Sequence, residues 1–503
     1  MENWFSPRAT KTTVPIVRLT KASLPGWLRR QPAPTVRWVR VHDFTAGTGR
    51  HLVVPDDEGG VAAVLVGPGR DGLPWDLAGL PRALPPGRYA LAPEDDLSAD
   101  DATALALGWA LGCYQFSRYK RNPKEVTSSL VWPPGCRRDE VSRLATAMGL
   151  VRDLVTTPAE DMGPSELEAA ARELASRHDA EVAVTVGDQL LADDYPAVHA
   201  VGRASDDPPR LIDIRWGDPE APKVTLVGKG VCFDSGGLDL KPAAGMLLMK
   251  KDMGGAAHVL GLAHAIMDAG LHLRLRVLVP AVENSVSGNA FRPLDVLQTR
   301  KGITVEVGNT DAEGRLILCD ALEEASREEP DVIIDFATLT GAARIALGAE
   351  VPALFSNRDA WAQAFVSAGD AVNDPLWRLP LVARYRRHLE SKVADVSNVA
   401  NVRYGGAITA ALFLERFVRG PWVHIDVMAY NLDRRPGRPP GGEAMGLRAM
   451  YRVLSERYPA PKKKAAPKKK AAPKKKAAPK KKAAPKKKAA PKKKAARRKR
   501  GRA

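Results

Sequence analysis

The chain has 503 residues and 45% of them are hydrophobic, which fits a globular protein of two or three domains with a sizeable core. The formal net charge of +18 is misleading, because residues 461–503 carry 23 positive charges and no acidic group, which leaves −5 for the rest. No apolar run approaches the ~20 residues that span a bilayer and the four cysteines show no CxxC spacing, which excludes membrane-spanning and disulfide-stapled proteins and favours the cytoplasm.

Residues 1–140 predict a small N-terminal α/β domain without a catalytic constellation. Strand-like runs at Val36–Val41 and Val61–Val66 lie between Pro/Gly turns, and an Ala/Leu-rich stretch predicts a helix over Asp101–Tyr119. The first residues include an acid at position 2 and lack the apolar core of a secretory signal. We therefore expect this domain to contribute packing rather than chemistry.

Residues 141–458 alternate strand and helix patterns. They predict an α/β fold with a central, mostly parallel mixed sheet covered by helices on both faces, in which ligands bind beyond the carboxyl ends of the strands. Ser165 is expected to cap a helix, and further helices are expected at Arg143–Leu154, Ala256–Asp268 and Ala407–Val418. The predicted strands are Glu181–Val186, Arg210–Arg215, Val224–Val227, Leu273–Val279, Val332–Phe336 and Trp422–Val427.

Residues 459–503 predict a disordered tail rich in Lys, Pro and Ala. Six Pro-Lys-Lys-Lys-Ala-Ala units begin at Pro461, and without large apolar residues they cannot offset the entropy of ordering. Regular prolines and repelling lysine triplets keep such a segment extended. It is expected to bind nucleic acid through its charge alone. Other polyanions, such as an anionic membrane, are the second interpretation, and a solubility appendage is the third.

Asn309–Leu316 is the segment around which the chain is organised. It places Asp311 and Glu313 two residues apart, followed by Arg315, at a turn into a predicted helix. Carboxylates this close raise each other's pKa unless cations neutralise them, so the pair indicates a metal site. Solvated acids at a helix start are the alternative, and the motifs that accompany this segment in register argue against it.

A second cluster lies upstream, in and after Val227–Gly237. Four carboxylates exceed the needs of one dication, whereas two ions roughly 3.5 to 4 Å apart share bridging groups. The composition therefore favours a binuclear site, whose oxygen ligands suit Mg, Mn or Zn, and which a lysine can join only as a neutral amine. The two segments together supply four carboxylates and two lysines, namely Asp234, Asp252, Asp311, Glu313, Lys229 and Lys241.

These residues resemble those of the leucyl aminopeptidase family, also called cytosol aminopeptidases. An ordered set of motifs over about residues 105–430 is a far more specific signal than one short pattern. The resemblance implies that residues 141–458 form the catalytic metallopeptidase domain and that the protein is a homohexamer. The matching segments are Val227–Gly237, Lys241, Met249–Ala257, Glu283-Asn284, Ser287–Ala290, Asn309–Leu316 and Ala337–Gly341.

The resemblance implies a metal-dependent aminopeptidase that removes Leu and other residues from the N-terminus of peptides. It implies two divalent ions per subunit, Mn, Zn or Mg. One would be held by Lys229, Asp234, Asp252 and Glu313, and the other by Asp234, Asp311 and Glu313. A free substrate amine at the metals explains why cleavage is confined to the amino end.

The remaining site residues are also implied by the resemblance. Lys241 would be catalytic, keeping its charge and stabilising the oxyanion of the tetrahedral intermediate. Arg315 would be catalytic too, holding a bicarbonate that shuttles the proton. Met249, Thr338 and Gly341 match positions near the substrate side chain or backbone.

Other polar residues receive structural interpretations. His258 and His264 lie about 240° apart on a predicted helix and cannot share an ion, so they are expected to be surface or packing residues. His424 and Asp426 fall on one face of a strand, where a hydrogen bond between them is conceivable. Cys232 lies among carboxylates and apolar neighbours that raise a thiol pKa, which argues against a nucleophile.

Two functions of other kinds remain open from the sequence. The enzyme body could be only the assembly platform of a nucleoid-binding protein. Against this, every ligand position is present, and an acid cluster without a function would only destabilise the fold. Phosphoester hydrolysis by the same binuclear site is the other, and it requires no free amine on the substrate.

Overall fold

The computed structural model describes residues 3–93 and 97–461, together with residues 484–486 and residue 489 of the basic segment. Most of the predicted tail therefore lies outside the described residues, and its disorder stays a prediction. None of the helices in the described part combines the length and apolarity that crossing a membrane requires.

The N-terminal part is built on a six-stranded sheet. Its elements are β1 (Phe5–Ser6), β2 (Val14–Arg18), α1 (Leu24–Leu28), α2 (Ala33–Val41), β3 (His51–Pro55), β4 (Val61–Val66), β5 (Gly87–Leu91), α3 (Ala99–Cys113) and β6 (Ser128–Val131). The strand order is β1-β6-β5-β2-β4-β3, and only β3 and β4 pair antiparallel. A 3₁₀ turn at Trp75–Leu77 packs against α3.

The predicted strand at Val36–Val41 is wrong, because these residues form most of α2. Pro34 lies in the first turn, where its fixed φ suits a helix and its missing N–H costs nothing. Val39 is buried while Val41 is 80% exposed, so the valines follow one helical face rather than a sheet. The predicted helix over Asp101–Tyr119 is present but ends at Cys113.

The second part continues the chain to residue 458. Its helices are α4 (Arg138–Thr156), α5 (Pro164–Arg177), α6 (Gln189–Ala192), α7 (Pro196–Gly202), α8 (Ala243–Met246), α9 (Gly254–Ala269), α10 (Gly314–Arg327), α11 (Gly341–Leu347), α12 (Asp359–Ala371), α13 (Gly406–Glu415) and α14 (Leu447–Arg457). Its strands are β7 (Glu181–Val186), β8 (Arg210–Gly217), β9 (Lys223–Gly228), β10 (Gly230–Asp234), β11 (Arg274–Asn284), β12 (Val296–Gln298), β13 (Thr304–Glu306), β14 (Val332–Ala337), β15 (Ala353–Ser356), β16 (Trp377–Arg378), β17 (Val396–Ser397), β18 (Trp422–Asp426), β19 (Tyr430–Asn431) and β20 (Gly441–Gly442). Short 3₁₀ segments lie at Ala159–Asp161, Met249–Lys251 and Ala383–Leu389.

The central sheet of this part confirms the predicted fold class. Its order is β16-β15-β18-β14-β9-β11-β8-β7, with β10 also paired to β11. The inner strands β18, β14, β9 and β11 run parallel, whereas β15, β8 and β7 add antiparallel pairs towards the edges. The result is the mostly parallel mixed sheet that the alternating pattern predicted.

Both faces of the central sheet are covered by helices, because the inner strands are apolar on both sides. Along β14, Val332, Ile334 and Phe336 pack into the core that includes α4 and α9. Ile333 and Ala337 point to the other face and pack into the core that includes α10 and α13. Residues 1–461 form one compact unit.

The expected cap at Ser165 is wrong. Helix α5 begins at Pro164, one residue earlier, and Gly163 precedes it. The backbone N–H of Ser165 donates to the Asp207 carboxylate at 2.7 Å, and that of Gly163 donates to Glu166 Oε2 at 3.0 Å. Carboxylates therefore satisfy the first amides of this helix, one of them from 42 residues away.

His258 is a fully buried packing residue of α9, as expected. Its Nδ1 donates to the Gly254 carbonyl at 2.6 Å, and its Nε2 accepts the backbone N–H of Met445 at 3.0 Å. Both contacts require the neutral ring, since a protonated Nε2 could not accept. Burial lowers the pKa of His258 to about 4.

We predict that His258 makes the fold less stable in acid. The depressed pKa of His258 contributes stability that is present above pH 6.5 and is lost as the pH falls towards about 4, by up to roughly 3 kcal/mol. His258→Gln keeps one donor and one acceptor but does not titrate in this range. Thermal melts at pH 7 and pH 5 should show a smaller pH-dependent loss in the variant than in the parent.

His272→Gln is the matched control, because the His272 side chain is exposed. An identical pH dependence in the parent and in His258→Gln would contradict the assignment of a neutral ring.

Candidate metal centre

The predicted site residues lie along two neighbouring strand lines of the central sheet, because β10 continues β9 and both pair with β11 in the same register, while β14 lies on the other side of β9. Lys229 directly follows β9, Asp234 ends β10, and Thr338 follows β14. Asp252 and Glu313 each lie just before a helix, α9 and α10 respectively. The edge of the sheet is therefore the place where the sequence pattern expected a ligand.

Glycines allow these segments to approach each other. A Cβ at Gly314 would lie 2.6 Å from Lys229 Nζ, so a larger residue there would displace the lysine head. A Cβ at Gly255 would lie 2.1 Å from the Phe336 carbonyl oxygen, which would separate α9 from β14. The absence of side chains at both positions brings Asp252 and Glu313 to the same lysine.

The inner half of the site is centred on Lys229. Its Nζ is 2.6 Å from Asp252 Oδ2 and 2.9 Å from Glu313 Oε1. Carboxylate oxygens of Asp234, Asp252 and Glu313 all lie within 4.8 Å of one another, and these residues are buried. Three acids within this space can share one cation.

The outer half shares Asp234 with the inner half. Lys241 Nζ is 2.8 Å from Asp234 Oδ2 and also contacts the Asp311 carboxylate. The Asp311 side chain is one-third exposed, so this half faces the opening of the site. The structure thus brings together the five predicted ligands and Lys241.

The pKa values in the site follow from burial and from like charges. Burial and Asp234 raise the pKa of Glu313 to about 7 and that of Asp311 to about 6. Asp252 differs: burial raises its pKa, but Lys229, Lys251 and the Thr338 hydroxyl together outweigh burial and lower the pKa to about 2. Burial disfavours the charged form of Lys229, but Asp252 and Glu313 raise its pKa above the ordinary value. The cluster therefore holds negative charge that needs cations to balance it.

The donor set fits divalent cations. Glu313 Oε2 is buried and has no hydrogen-bond partner among the described residues. Lys229 alone bridges Asp252 and Glu313, whereas a dication would offer each a stronger partner. Oxygen ligands without imidazole or thiolate suit Mg, Mn or Zn, as the sequence predicted.

Sequence reasoning did not assign to any residue the role of orienting the carboxylates: Thr338 was expected beside the substrate, and Asn284 entered only as part of a matching segment. Asn284 Nδ2 donates to Asp234 Oδ1 at 2.9 Å and to the Thr310 carbonyl at 3.1 Å. Thr338 Oγ1 donates to Asp252 Oδ1 at 2.8 Å. Only the place of Asn284 and Thr338 within the recognised motifs could have drawn attention to them, because their partners are distant in the chain.

The pair expected from His424 and Asp426 is not formed. His424 Nδ1 is 2.6 Å from Asp335 Oδ1, because β18 and β14 pair in parallel with His424 opposite Asp335. Asp426 instead accepts the backbone N–H groups of Leu339 and Thr340 at 3.0 and 3.2 Å, and the Thr340 hydroxyl at 2.6 Å. Asp426 therefore fixes the loop that follows β14.

The other predicted residues surround the cluster. Met249 is buried in the 3₁₀ segment before Asp252, and Gly341 is exposed at the start of α11. Arg315 is buried in the first turn of α10, where its Nη1 donates to the Asn398 carbonyl at 2.6 Å. Burial lowers the pKa of Arg315 to about 10, and its Nε has no hydrogen-bond partner among the described residues.

Family models cover both parts of the chain. The model for the cytosol aminopeptidase family, catalytic domain, matches residues 149–451, and that for the M17 aminopeptidase N-terminal domain matches residues 14–133. The chain belongs to the cytosol aminopeptidase family. The family and the enzyme class predicted from the motifs are confirmed: the protein is a metal-dependent exopeptidase, a hydrolase.

Individual relatives agree with this membership. A probable cytosol aminopeptidase of Roseiflexus castenholzii is 42% identical over 373 residues, which cover 71% of this chain and 76% of the relative. The crystal structure of the Coxiella burnetii cytosol aminopeptidase has a TM-score of 0.87 and 50% identity, covering 90% of this chain and 99% of that one. The bottromycin maturation enzyme BotP in complex with Mn has a TM-score of 0.80 and 36% identity, covering 88% and 99%.

We predict that Asp426 stabilises the catalytic domain of this aminopeptidase through the loop at residues 338–341. Asp426→Ala would leave the amides of Leu339 and Thr340 without their acceptor and should lower the free energy of unfolding by about 3 kcal/mol. Denaturant unfolding of the parent and variant measures this.

Asp359→Ala is the control, because its carboxylate is 90% exposed and pairs with Arg378 at the surface. An equal decrease in the free energy of unfolding in Asp426→Ala and Asp359→Ala would show that Asp426 does not anchor the loop.

Proposed function

We propose that the protein removes N-terminal residues, Leu among them, from peptides by means of two divalent cations held by Lys229, Asp234, Asp252, Asp311 and Glu313. The observation that carries the proposal is the convergence of the Asp234, Asp252 and Glu313 oxygens within 4.8 Å. These oxygens converge beyond the carboxyl ends of the strands, which is where α/β sheets bind ligands. The chain also belongs to a family of metal-dependent peptidases.

The ligands divide between two positions. Lys229, Asp234, Asp252 and Glu313 would hold one cation, and Asp234, Asp311 and Glu313 the other, so that Asp234 and Glu313 are shared. Two divalent ions there supply Lewis-acid polarisation of the scissile carbonyl and activate a water molecule. Lys229 joins as a ligand only after losing its proton, which neighbouring dications favour. Mn, Zn and Mg all suit these ligands, and BotP was solved with Mn.

Lys241 and Arg315 would be the catalytic side chains beside the cations. Burial disfavours the charge on Lys241, but Asp234 raises its pKa above the ordinary value, so its ammonium group can stabilise an oxyanion. Arg315 Nε has no hydrogen-bond partner in the described part of the chain, and its planar fork suits a bicarbonate that relays the proton. Met249, Thr338 and Gly341 would border the N-terminal residue of the substrate.

Several features beyond the catalytic domain belong to the same proposal. The family resemblance implies domain boundaries at residues 140 and 458, a homohexameric assembly and a cytoplasmic location. The relatives are named cytosol aminopeptidases. Residues 461–503 would tether the enzyme to nucleic acid or another polyanion, because they carry 23 positive charges and no acid. Six such tails on one particle would raise avidity.

We predict that Glu313→Gln strongly lowers peptidase activity by removing the charge of a shared ligand. Metal bound after dialysis against MnCl₂ should fall, and kcat/KM for leucyl-p-nitroanilide should fall by about a hundredfold or more. Metal analysis and a rate assay measure the two effects. Removal of metal from the parent with a chelator should abolish activity, and addition of Mn or Zn should restore it.

Glu350→Gln is the control for Glu313→Gln, because Glu350 is exposed and pairs with Arg435. N-acetyl-leucyl-p-nitroanilide and bis-p-nitrophenyl phosphate should resist the enzyme, since the proposal places a free α-amine at the carboxylate cluster. Phosphodiester hydrolysis without release of any N-terminal residue would favour the phosphoesterase alternative. A parent that stays metal-free in excess Mn and Zn would contradict the proposal.

We predict that a chain ending at Pro459 keeps its peptidase activity and loses DNA binding. The full chain should bind duplexes of any sequence, with an affinity that falls steeply between 50 and 200 mM salt. Fluorescence anisotropy on two unrelated duplexes measures both effects. Equal DNA affinity of the two chains would contradict the tethering role, and DNA binding without peptidase activity would favour the assembly-platform alternative.

A further inference from the structure

Arg344 is a cation without an acidic partner beside the metal centre. Among the described residues it forms no ion pair, and its recorded hydrogen-bond contact joins Nη1 to Met428 Sδ at 3.3 Å. By contrast, Arg378, Arg386 and Arg419 each pair with a carboxylate. A guanidinium that meets only a thioether retains its capacity for an anionic partner.

The position of Arg344 places this capacity next to Gly341. Both residues lie on α11 three positions apart, so they share one face of the helix. A Cβ at Gly341 would be 3.5 Å from Arg344 Nη2, and Gly341 itself is exposed. The missing side chain thus leaves open space under the guanidinium.

This space adjoins the segment that carries Asp252. A Cβ at Gly254 would lie 2.4 Å from the Cβ of Ala429, which follows Met428, and 3.1 Å from Thr338 Cγ2. The contact partner of Arg344 is therefore continuous with the residues packed against the start of α9. Lys251 is buried at this place too, and its Nζ pairs with Asp252 Oδ1 at 3.4 Å.

Substrate geometry connects Arg344 to specificity. The side chain of an N-terminal residue branches from the carbon next to the scissile carbonyl, so it must lie close to the cluster when that carbonyl does. In the proposed function Thr338 and Gly341 border this side chain. A carboxylate extending past Gly341 would reach the planar fork of donors of Arg344, whereas the guanidinium would repel a lysine side chain.

We propose that Arg344 selects peptides whose N-terminal residue is glutamate or aspartate, an inference that rests on the proposed aminopeptidase function. Leucyl substrates would still be cleaved, since the proposed chemistry does not involve the guanidinium. The specificity would come from one charge-assisted contact to the side chain of the released residue.

The ratio of kcat/KM for glutamyl-p-nitroanilide to that for glutaminyl-p-nitroanilide tests this in the Mn-loaded, full-length enzyme. The two substrates match in shape and differ in charge, so effects on folding or metal content cancel in the ratio. Arg344→Met should lower the ratio by about tenfold, and Arg344→Lys should restore part of it. Arg452→Met, which removes an arginine paired with Glu456 on α14, should leave the ratio unchanged.

The outcomes separate this inference from the function on which it rests. An unchanged ratio in Arg344→Met, or an equal loss on the glutamyl, glutaminyl and leucyl substrates, would overturn the role of Arg344 and leave the aminopeptidase function intact. Release of no residue from any of the three substrates by the Mn-loaded parent would overturn the proposed function and this inference with it.

Discussion

The site depends on holding four carboxylates close together in a largely buried place. Burial and mutual repulsion would protonate Glu313 and Asp311, as their raised pKa values indicate, unless positive charge stays beside them. Lys229 and Lys241 supply it, one in each half of the cluster. An acid cluster of this kind costs stability that a fold tolerates for a function, and divalent cations are the groups that would offset it best.

The backbone explains how the acids reach one another. Strand β10 continues β9 beyond Lys229 along β11, β14 runs parallel beside β9, and helices α9 and α10 begin near the carboxyl ends of these strands. Gly255 and Gly314 let those helix starts come within van der Waals distance of Phe336 and Lys229. Asn284, Thr338 and Asp426 then fix the carboxylates and the loop after β14 by hydrogen bonds. Geometry precise enough to share a cation follows from these contacts rather than from the ligands alone.

The sequence was sufficient where local pattern and structure agree. Alternating strands and helices predicted the sheet because its inner strands are apolar on both faces, and the resemblance of the motifs to the family implied which acids meet. It failed where a distant partner decides the outcome. In Val36–Val41, Val39 is buried against the core while Val41 is exposed, which fits one face of a helix and not one face of a strand. Ser165 does not cap α5, because the Asp207 carboxylate accepts its backbone N–H. His424 meets Asp335 through the register of β14 and β18, which no spacing within one segment reveals.

Chemistry and specificity occupy different elements in this fold. The proposed ligands sit on strand ends and before helix starts that are tied to the core, so a substitution there disturbs the whole cluster. Arg344 and Met428 lie just outside, on the second turn of a short helix and in the segment after β18, where a side chain can change without moving an acid. A carboxylate-binding arginine at this distance can alter which residue is released while the apparatus that releases it stays the same.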